Sequence, residues 1–314
     1  MSDKLEALKQ QINKYLEQIK RQSQNGQGPQ QVVNQLSVIL LQFVDATIEM
    51  SIQKGRDNDG EITTTTLDVF RNLLSLVNVS ATNATIPIVS SALHFLNYHH
   101  NFTEMDNFIS SAQNITTNNI SLINYCMFNY YAGVTMLIKN MTVEAFNYLS
   151  NAIQYLESGT RNYRNCLIPL VVLQLRKGIY PPRSLILENN LEDVYGTLIT
   201  AVQRGDVATF EKETKRNEVF FIQHCLFLLV ESLKLITYRN LFNTARQIVN
   251  TTKVPYSAFL NALKEVGKES SEMELEFVMC NLIFKGIMKS QLYHEHKIAV
   301  LSPEDAFVFF DQVK

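Results

Sequence analysis

Apolar residues recur along most of this 314-residue chain at the three-to-four-residue spacing of amphipathic helices. Residues 4–22 show the pattern clearly, with Leu5, Leu8, Ile12, Leu16 and Ile19 on one face. The same spacing predicts helices at 32–53, 65–77, 86–99, 103–112, 121–138, 143–157, 161–176, 191–203, 207–216 and 219–231. About two helices fall in every 35–40 residues, which is the period of tetratricopeptide-like (TPR-like) arrays. The pattern therefore predicts a stack of helical repeats.

The pattern changes after residue 232. Helical spacing at 233–249, 256–266 and 271–285 is followed by short strand-like segments at 287–293 and 297–301, and Lys253-Val254 can form a further short strand. Ser271 with Glu274 three residues later forms a capping box for the third helix, and Gly286 suits its end. Three helices followed by a β-hairpin are typical of a winged helix. The predicted fold class is all-α with a small β-hairpin, in which TPR-like repeats precede a C-terminal winged helix.

These elements suggest four segments. We predict divergent N-terminal helices at 1–80, TPR-like repeats at 81–232, a winged helix at 233–302 and a C-terminal tail at 303–314. Within the repeats, the small residues Ala132 and Gly133 predict a close approach of the helix at 143–157.

Composition narrows the possible locations of the chain. The N-terminus has no apolar signal core, and no apolar run reaches the roughly 18 residues of a membrane span. We therefore expect an intracellular protein that contacts no membrane. The cysteines are widely spaced in or beside apolar runs, without a CxxC motif, and are expected to be buried reduced thiols. They are Cys126, Cys166, Cys225 and Cys280.

Positive charge concentrates near the C-terminus although the net charge is −2, so a nucleic-acid site has to be a local patch. Residues 232–264 contain no acidic residue. The candidate phosphate-binding residues are Lys234, Arg239, Arg246, Lys253, Lys264, Lys285, Lys289 and Lys297. A solvated helix face would account equally well for any one of them. Glu272, Glu274 and Glu276 would repel phosphate from the third helix, so we expect non-specific backbone contact rather than base readout.

Motifs for catalysis are missing from the sequence. It has no nucleophile elbow, Walker loop, HExxH motif or glycine-rich dinucleotide turn, so we predict no enzyme activity, no catalytic residues and no cofactor. His294 and His296 form an HxH pair without a nearby third ligand, which does not predict a metal site.

Several segments resemble the PCI-domain family. NEVFFI, LKLITYRNLF, AFLNALK, NLIFKG and HEHKIAVLS are similar to its C-terminal half. Upstream, NYYAGVTMLI, AFNYLSNAIQYL, NCLIPLVVLQLRKGIYPP and ITAVQRGDVATFEK extend the resemblance to about residues 85–302. Within the family, the chain most resembles the PCI subunit of the nuclear-pore transcription and mRNA export complex (TREX-two). The signalosome-associated PCI protein represents the sister subfamily.

The resemblance implies a non-enzymatic subunit located in the nucleus and at the nuclear pore, and it allows a cytoplasmic pool. It implies pairing with a larger GANP-like PCI scaffold, with a small acidic subunit of the proteasome-lid type, and with RNA or double-stranded DNA. Candidate partner-binding residues are Tyr238, Asn240, Phe242, His294 and His296. The alternative is a protein scaffold of a signalosome- or lid-type complex, in which the basic span receives an acidic peptide.

Overall fold

The computed structural model describes residues 2–25, 30–54, 59–77, 84–112 and 120–310. It divides into two compact units, Met1–Leu156 and Glu157–Lys314. Helices dominate both units, and the second also contains a three-stranded sheet. The predicted fold class is therefore confirmed. The predicted segment boundary at residue 80 lies outside the described residues.

In the first unit, each helix packs against helices that are one or two elements away in the chain. Its helices are α1 (Ser2–Gln24), α2 (Gln30–Lys54), α3 (Asp59–Val77), α4 (Thr85–Tyr98), α5 (Phe102–Ala112), α6 (Leu122–Ile138) and α7 (Thr142–Ile153). The predicted face of α1 is buried at Leu8, Ile12, Leu16 and Ile19. A Cβ atom at Gly133 would lie 2.6 Å from Leu149 Cγ, which confirms that a small residue permits close packing of α6 and α7.

Helix α2 is the one helix among the described residues that is long and apolar enough, over Gln30–Gln53, to cross a membrane. Length and composition alone do not separate such a span from a core helix. In the first unit, Val33, Leu36, Leu40 and Phe43 of α2 are buried, and α2 packs against α1 and α4. Packing within the unit therefore accounts for these four residues, whereas Val38 and Ile52 of α2 are 55% and 64% exposed.

The second unit begins with helices and ends with the sheet. Its helices are α8 (Arg161–Arg176), α9 (Arg183–Glu188), a π-helical turn (Glu192–Gly196), α10 (Thr197–Arg204), α11 (Val207–Arg216), α12 (Glu218–Gln223), α13 (Phe227–Val249), α14 (Tyr256–Glu265) and α15 (Glu272–Phe284). The break that we predicted near residue 232 is wrong, because α13 runs through it for 23 residues. No Gly or Pro interrupts the helical pattern there.

The sheet consists of β1 (Lys253–Pro255), β2 (Ser290–Tyr293) and β3 (Ile298–Leu301), in the order β1-β3-β2. Both pairs are antiparallel, and Ala299 lies opposite Val254 and Leu292. Val254 and Ala299 are fully buried, so this face of the sheet covers the core. Helices α13, α14 and α15 with this sheet form the predicted winged helix.

The segment after β3 is not a free tail. The amide of Lys289 donates to the Ala306 carbonyl at 2.8 Å, and the amide of Val308 donates to the Ile287 carbonyl at 2.9 Å. Ala306, Phe307 and Val308 are buried. We call residues 302–310 the C-terminal strap; residues 311–314 of the predicted tail lie outside the described part of the chain.

Candidate nucleic-acid and partner interface

Three of the predicted partner-binding residues belong to the core of the second unit. Tyr238, Asn240 and Phe242 on α13 are all buried. The Asn240 side-chain amide donates to Tyr180 Oη at 2.9 Å and to the Val202 carbonyl at 2.7 Å. These side chains hold α13 against its neighbours and are not available to a partner, so this part of the prediction is wrong.

Arg239 is also turned inward, contrary to its predicted role as a phosphate contact. Its guanidinium donates to Asn240 Oδ1 at 2.9 Å and to the Phe307 carbonyl at 2.7 Å, and it lies 4.0 Å from the centre of the Phe309 ring. Burial lowers the pKa of Arg239, although an arginine stays charged at neutral pH. Arg239 clamps the C-terminal strap, and we exclude it from the candidate surface.

Two further candidates are engaged in ion pairs. Lys234 Nζ lies 2.6 Å from Glu211 Oε1, and Lys268 approaches the same carboxylate at 2.7 Å. Burial raises the pKa of Glu211, but hydrogen bonds from the two lysines outweigh it, so that pKa lies below its ordinary value. Lys297 Nζ lies 3.2 Å from Glu272 Oε2. The charges of Lys234 and Lys297 are thus compensated locally.

The remaining candidates make no ion pair within the described part of the chain. They are Arg246, Lys253, Lys264, Lys285 and Lys289. Arg246 is half-exposed and the four lysines are exposed. In the sheet, Lys253 and Gln291 both lie opposite Val300, so they share the outward face of the sheet. We call these five residues the cationic set.

A groove opens at the β2 edge of the sheet, on the far side of β3 from Lys253. It has a volume of about 1050 Å³ and is lined by Lys289, Ser290, Gln291, Ser302 and strap residues. Lysine, amide and hydroxyl groups at such a groove are the donors that phosphate oxygens accept from. The structure thus places Lys289 of the cationic set beside further polar donors, with the Asp305 carboxylate also in the lining. Lys253 lies outside the groove, on the same face of the sheet.

The wing histidines differ in their contacts. His294 Nδ1 lies 2.6 Å from Glu276 Oε1 and so links the wing to α15. This hydrogen bond holds the pKa of Glu276 below its ordinary value. His296 is exposed. Among the described residues, no group of three His, Cys, Asp or Glu side chains could hold a metal ion.

Large apolar side chains cover the outward face of α15. Met273, Phe277 and Phe284 are 80%, 73% and 84% exposed. The opposite face of the helix is buried at Leu275, Met279 and Leu282. In most winged helices the third helix is the one that enters a DNA groove, but here its outward face offers hydrocarbon and carboxylate instead of donors.

Comparison with known proteins finds relatives that are named after the PCI domain. The chain is 36% identical over 147 residues to the PCI domain-containing protein 2 homolog of Caenorhabditis elegans, covering 46% of this chain and 35% of the relative. It is 32% identical over 183 residues to PCI domain-containing protein 2 of Xenopus laevis, covering 57% and 45%. The chain is thus similar to PCI-domain proteins over about half of its length. No family model matches it.

Both PCI subfamilies predicted from the sequence are represented among the relatives. The protein CSN12 homolog of Yarrowia lipolytica is 28% identical over 190 residues, covering 59% of this chain and 48% of the relative. The matched region spans less than half the length of each of these three relatives. The comparisons therefore support a likeness to PCI-domain proteins of both subfamilies.

Sequence reasoning missed two features of the second unit. Cys225 and Cys280 are exposed, whereas we expected all four cysteines to be buried; Cys126 and Cys166 are buried. The outward face of α15 was also missed, although its signal was present in the sequence. A helix with apolar residues on all sides needs a second packing surface.

Proposed function

We propose that this PCI chain is a non-catalytic subunit of a nuclear complex that links transcription to mRNA export. In this proposal it binds a larger GANP-like PCI scaffold and a small acidic subunit of the proteasome-lid type, and it resides in the nucleus and at the nuclear pore. The resemblance to the export-complex subunit and the relatives named PCI domain-containing protein 2 support this assignment.

The winged helix would add a nucleic-acid surface to the complex. The observation that carries this part is the cationic set, whose charges are not compensated by ion pairs in the described chain. Lysines on a sheet face beside amide and hydroxyl donors suit a phosphate backbone and do not select a base sequence. RNA or double-stranded DNA would therefore be bound without strong sequence preference.

The test is the salt dependence of nucleic-acid binding by the full chain. Lys253→Gln with Lys289→Gln should weaken binding to a labelled DNA duplex and to an RNA strand in fluorescence anisotropy. For the duplex, the slope of log affinity against log salt should fall by about 0.9 for each lost phosphate contact. Lys234→Gln is the matched control, because its charge is already paired with Glu211.

The measured slopes show whether the cationic set contacts nucleic-acid phosphates. A smaller slope in the double variant with an unchanged slope in the control supports the cationic set. An unchanged slope in the double variant, or an equal loss in both variants, contradicts it.

A second candidate function is a protein scaffold of a signalosome- or lid-type complex that does not bind nucleic acid. The apolar outward face of α15 favours it, because a protein partner would cover such a surface. Mass spectrometry of the proteins that co-purify with the chain distinguishes the two assemblies. A GANP-like scaffold indicates the export complex, and signalosome subunits indicate the second candidate.

A further inference from the structure

The outward face of α15 forms a continuous apolar line. Met273, Phe277, Cys280 and Phe284 are separated by four, three and four residues, the spacing that places side chains on one face of a helix. The line is about 16 Å long, from the helical rise of 1.5 Å per residue. All four residues are exposed. We call them the α15 stripe.

The α15 stripe is chemically unsuited to nucleic acid. Base edges are read by hydrogen-bonding groups such as those of Arg, Lys, Asn and Gln, and the stripe has no such group. Glu272, Glu274 and Glu276 lie on the first two turns and would repel phosphates. They would also repel the anionic headgroups that attract membrane-surface helices. These charges favour a protein as the occupant.

The carboxylates define the kind of protein surface that fits. By helical spacing, Glu272 and Glu276 lie along one border of the stripe and Glu274 lies along the other. Glu274 is fixed by hydrogen bonds to Ser271, and Glu276 by its contact with His294. On α15 itself, positive charge appears only past the last turn, at Lys285. Lys297 of the wing lies 3.2 Å from Glu272, which leaves Glu274 and Glu276 without a lysine or arginine ion-pair partner in the described chain.

We propose that the α15 stripe docks an antiparallel amphipathic helix of a partner protein, with large apolar side chains on its contact face and Lys or Arg in its C-terminal half. The antiparallel direction sets those cations beside Glu272, Glu274 and Glu276, and it opposes the two helix dipoles. A three-turn stripe is much smaller than the roughly 800 Å² per partner of a stable interface. The partner therefore also contacts surface beyond the stripe. This inference specifies the protein-binding part of the proposed function.

The test uses two designed peptides and the full chain. Both peptides are about five helical turns long, with Leu at the spacing of the stripe. One carries Glu in its N-terminal half and Arg in its C-terminal half, and the other has these charges exchanged. In fluorescence anisotropy, the first peptide should bind about tenfold or more tightly than the second. In the antiparallel direction, the Arg residues of the first peptide lie beside the carboxylates of α15, whereas the second peptide places Glu there.

Substitutions then locate the site. Phe277→Ser with Phe284→Ser should weaken binding of the first peptide by about thirtyfold or more, as loss of buried aromatic anchors does. Because both side chains are exposed, the variant should keep its fold, which circular dichroism checks. Leu228→Ser on α13 is the matched control, since Leu228 is 83% exposed and lies outside the stripe. Its peptide affinity should equal that of the unmodified chain.

Several results would overturn the proposal. One is equal affinity for the two peptides, and another is no loss in the double variant. Sedimentation that shows a dimer abolished by the double variant would identify a second copy as the occupant. Binding of the chain to phosphatidylserine vesicles through the stripe would identify a membrane. Phe277→Ser alone should leave nucleic-acid affinity unchanged, since the stripe residue beside the cationic set is Phe284, whose ring centre lies 5.8 Å from Lys285 Nζ. Failure of this site and failure of the cationic set are therefore distinguishable.

Discussion

Removal of the Arg239 side chain should release the C-terminal strap without unfolding the second unit. In the structure, this side chain connects α13 to the strap through the Phe307 carbonyl and the Phe309 ring. A hydrogen bond from a charged donor contributes about 1.5–3 kcal/mol, and a cation–π contact contributes about 0.5–2 kcal/mol. Because Arg239 is only half-buried, we take the low end, about 2–3 kcal/mol in total.

Hydrogen exchange measures this loss directly. The amides of Lys289 and Val308 are bonded across the strap, so their exchange reports its opening. At about 1.4 kcal/mol for each factor of ten, Arg239→Ala should accelerate their exchange about 30- to 150-fold. Amides in the middle of α13, such as that of Leu241, should keep their protection.

A matched control separates the clamp from general loss of charge. Arg246 lies two helical turns further along α13, is half-exposed and makes no ion pair in the described chain. Arg246→Ala should leave exchange in the strap unchanged. If Arg239→Ala leaves it unchanged as well, or if both variants accelerate it equally, the clamp is not what holds the strap.

Two further predictions concern the helices around α13. Gly205 has a φ of +77°, and a Cβ atom there would lie 2.5 Å from the backbone nitrogen of Leu241. Gly205→Ala should therefore lower the free energy of unfolding by more than about 1 kcal/mol in denaturant titration. Gly159→Ala is the control and should cost less, because φ is also positive there, at +80°, but no atom lies within 4 Å of the added Cβ. Because the pKa of Glu211 is lowered in the folded state, its ionised carboxylate stabilises the fold at pH values above the ordinary glutamate pKa. This stabilisation is lost as the pH falls through the folded-state pKa. Glu211→Gln should thus lower the melting temperature at pH 7, with a smaller difference about one unit below that ordinary pKa; an undiminished difference contradicts the ion cluster.

Local patterns were sufficient to predict most helices and the start of α15. The capping box of Ser271 and Glu274 is present, with the Ser271 amide 2.8 Å from the Glu274 carboxylate. Such a cap depends on residues three apart, so the sequence contains all the necessary information. The short strand at Lys253-Val254 was predictable because its signal is also local in the sequence. Its pairing partner, β3, was not predictable in this way.

Contacts between distant segments account for the errors. The strap is held by bonds between Arg239 and Phe307, which are 68 residues apart. Nothing in the spacing near either residue indicates this pairing. The burial of Tyr238, Asn240 and Phe242 has a related cause, since a helix packed on several sides buries residues beyond a single stripe. Their place in the LKLITYRNLF segment therefore reflects the core of the second unit.

Charge counts along the sequence were equally insufficient for the surface. Residues 232–264 contain no acidic residue, yet Lys234 is neutralised by Glu211 from α11. Lys297 is neutralised by Glu272 in the same way. An ion pair between elements depends on the fold, so a run of cations in sequence overestimates the charge available to phosphate. Only the structure separates the cationic set from the paired lysines.

The distribution of side chains over the winged helix limits how it can bind two partners. The lysines at the sheet, Lys253 and Lys289, belong to one surface, whereas Met273, Phe277 and Phe284 cover the outward side of α15. Phosphate at Lys253 and Lys289 would not have to displace a helix docked on α15, whereas Lys285 Nζ of the cationic set lies 5.8 Å from the centre of the Phe284 ring and borders both surfaces. Glu272 and Glu276 also bond to the wing through Lys297 and His294. A partner whose cations pair with these carboxylates would therefore weaken the contacts that hold the wing to α15. Protein binding at α15 would alter nucleic-acid binding at the sheet by this route.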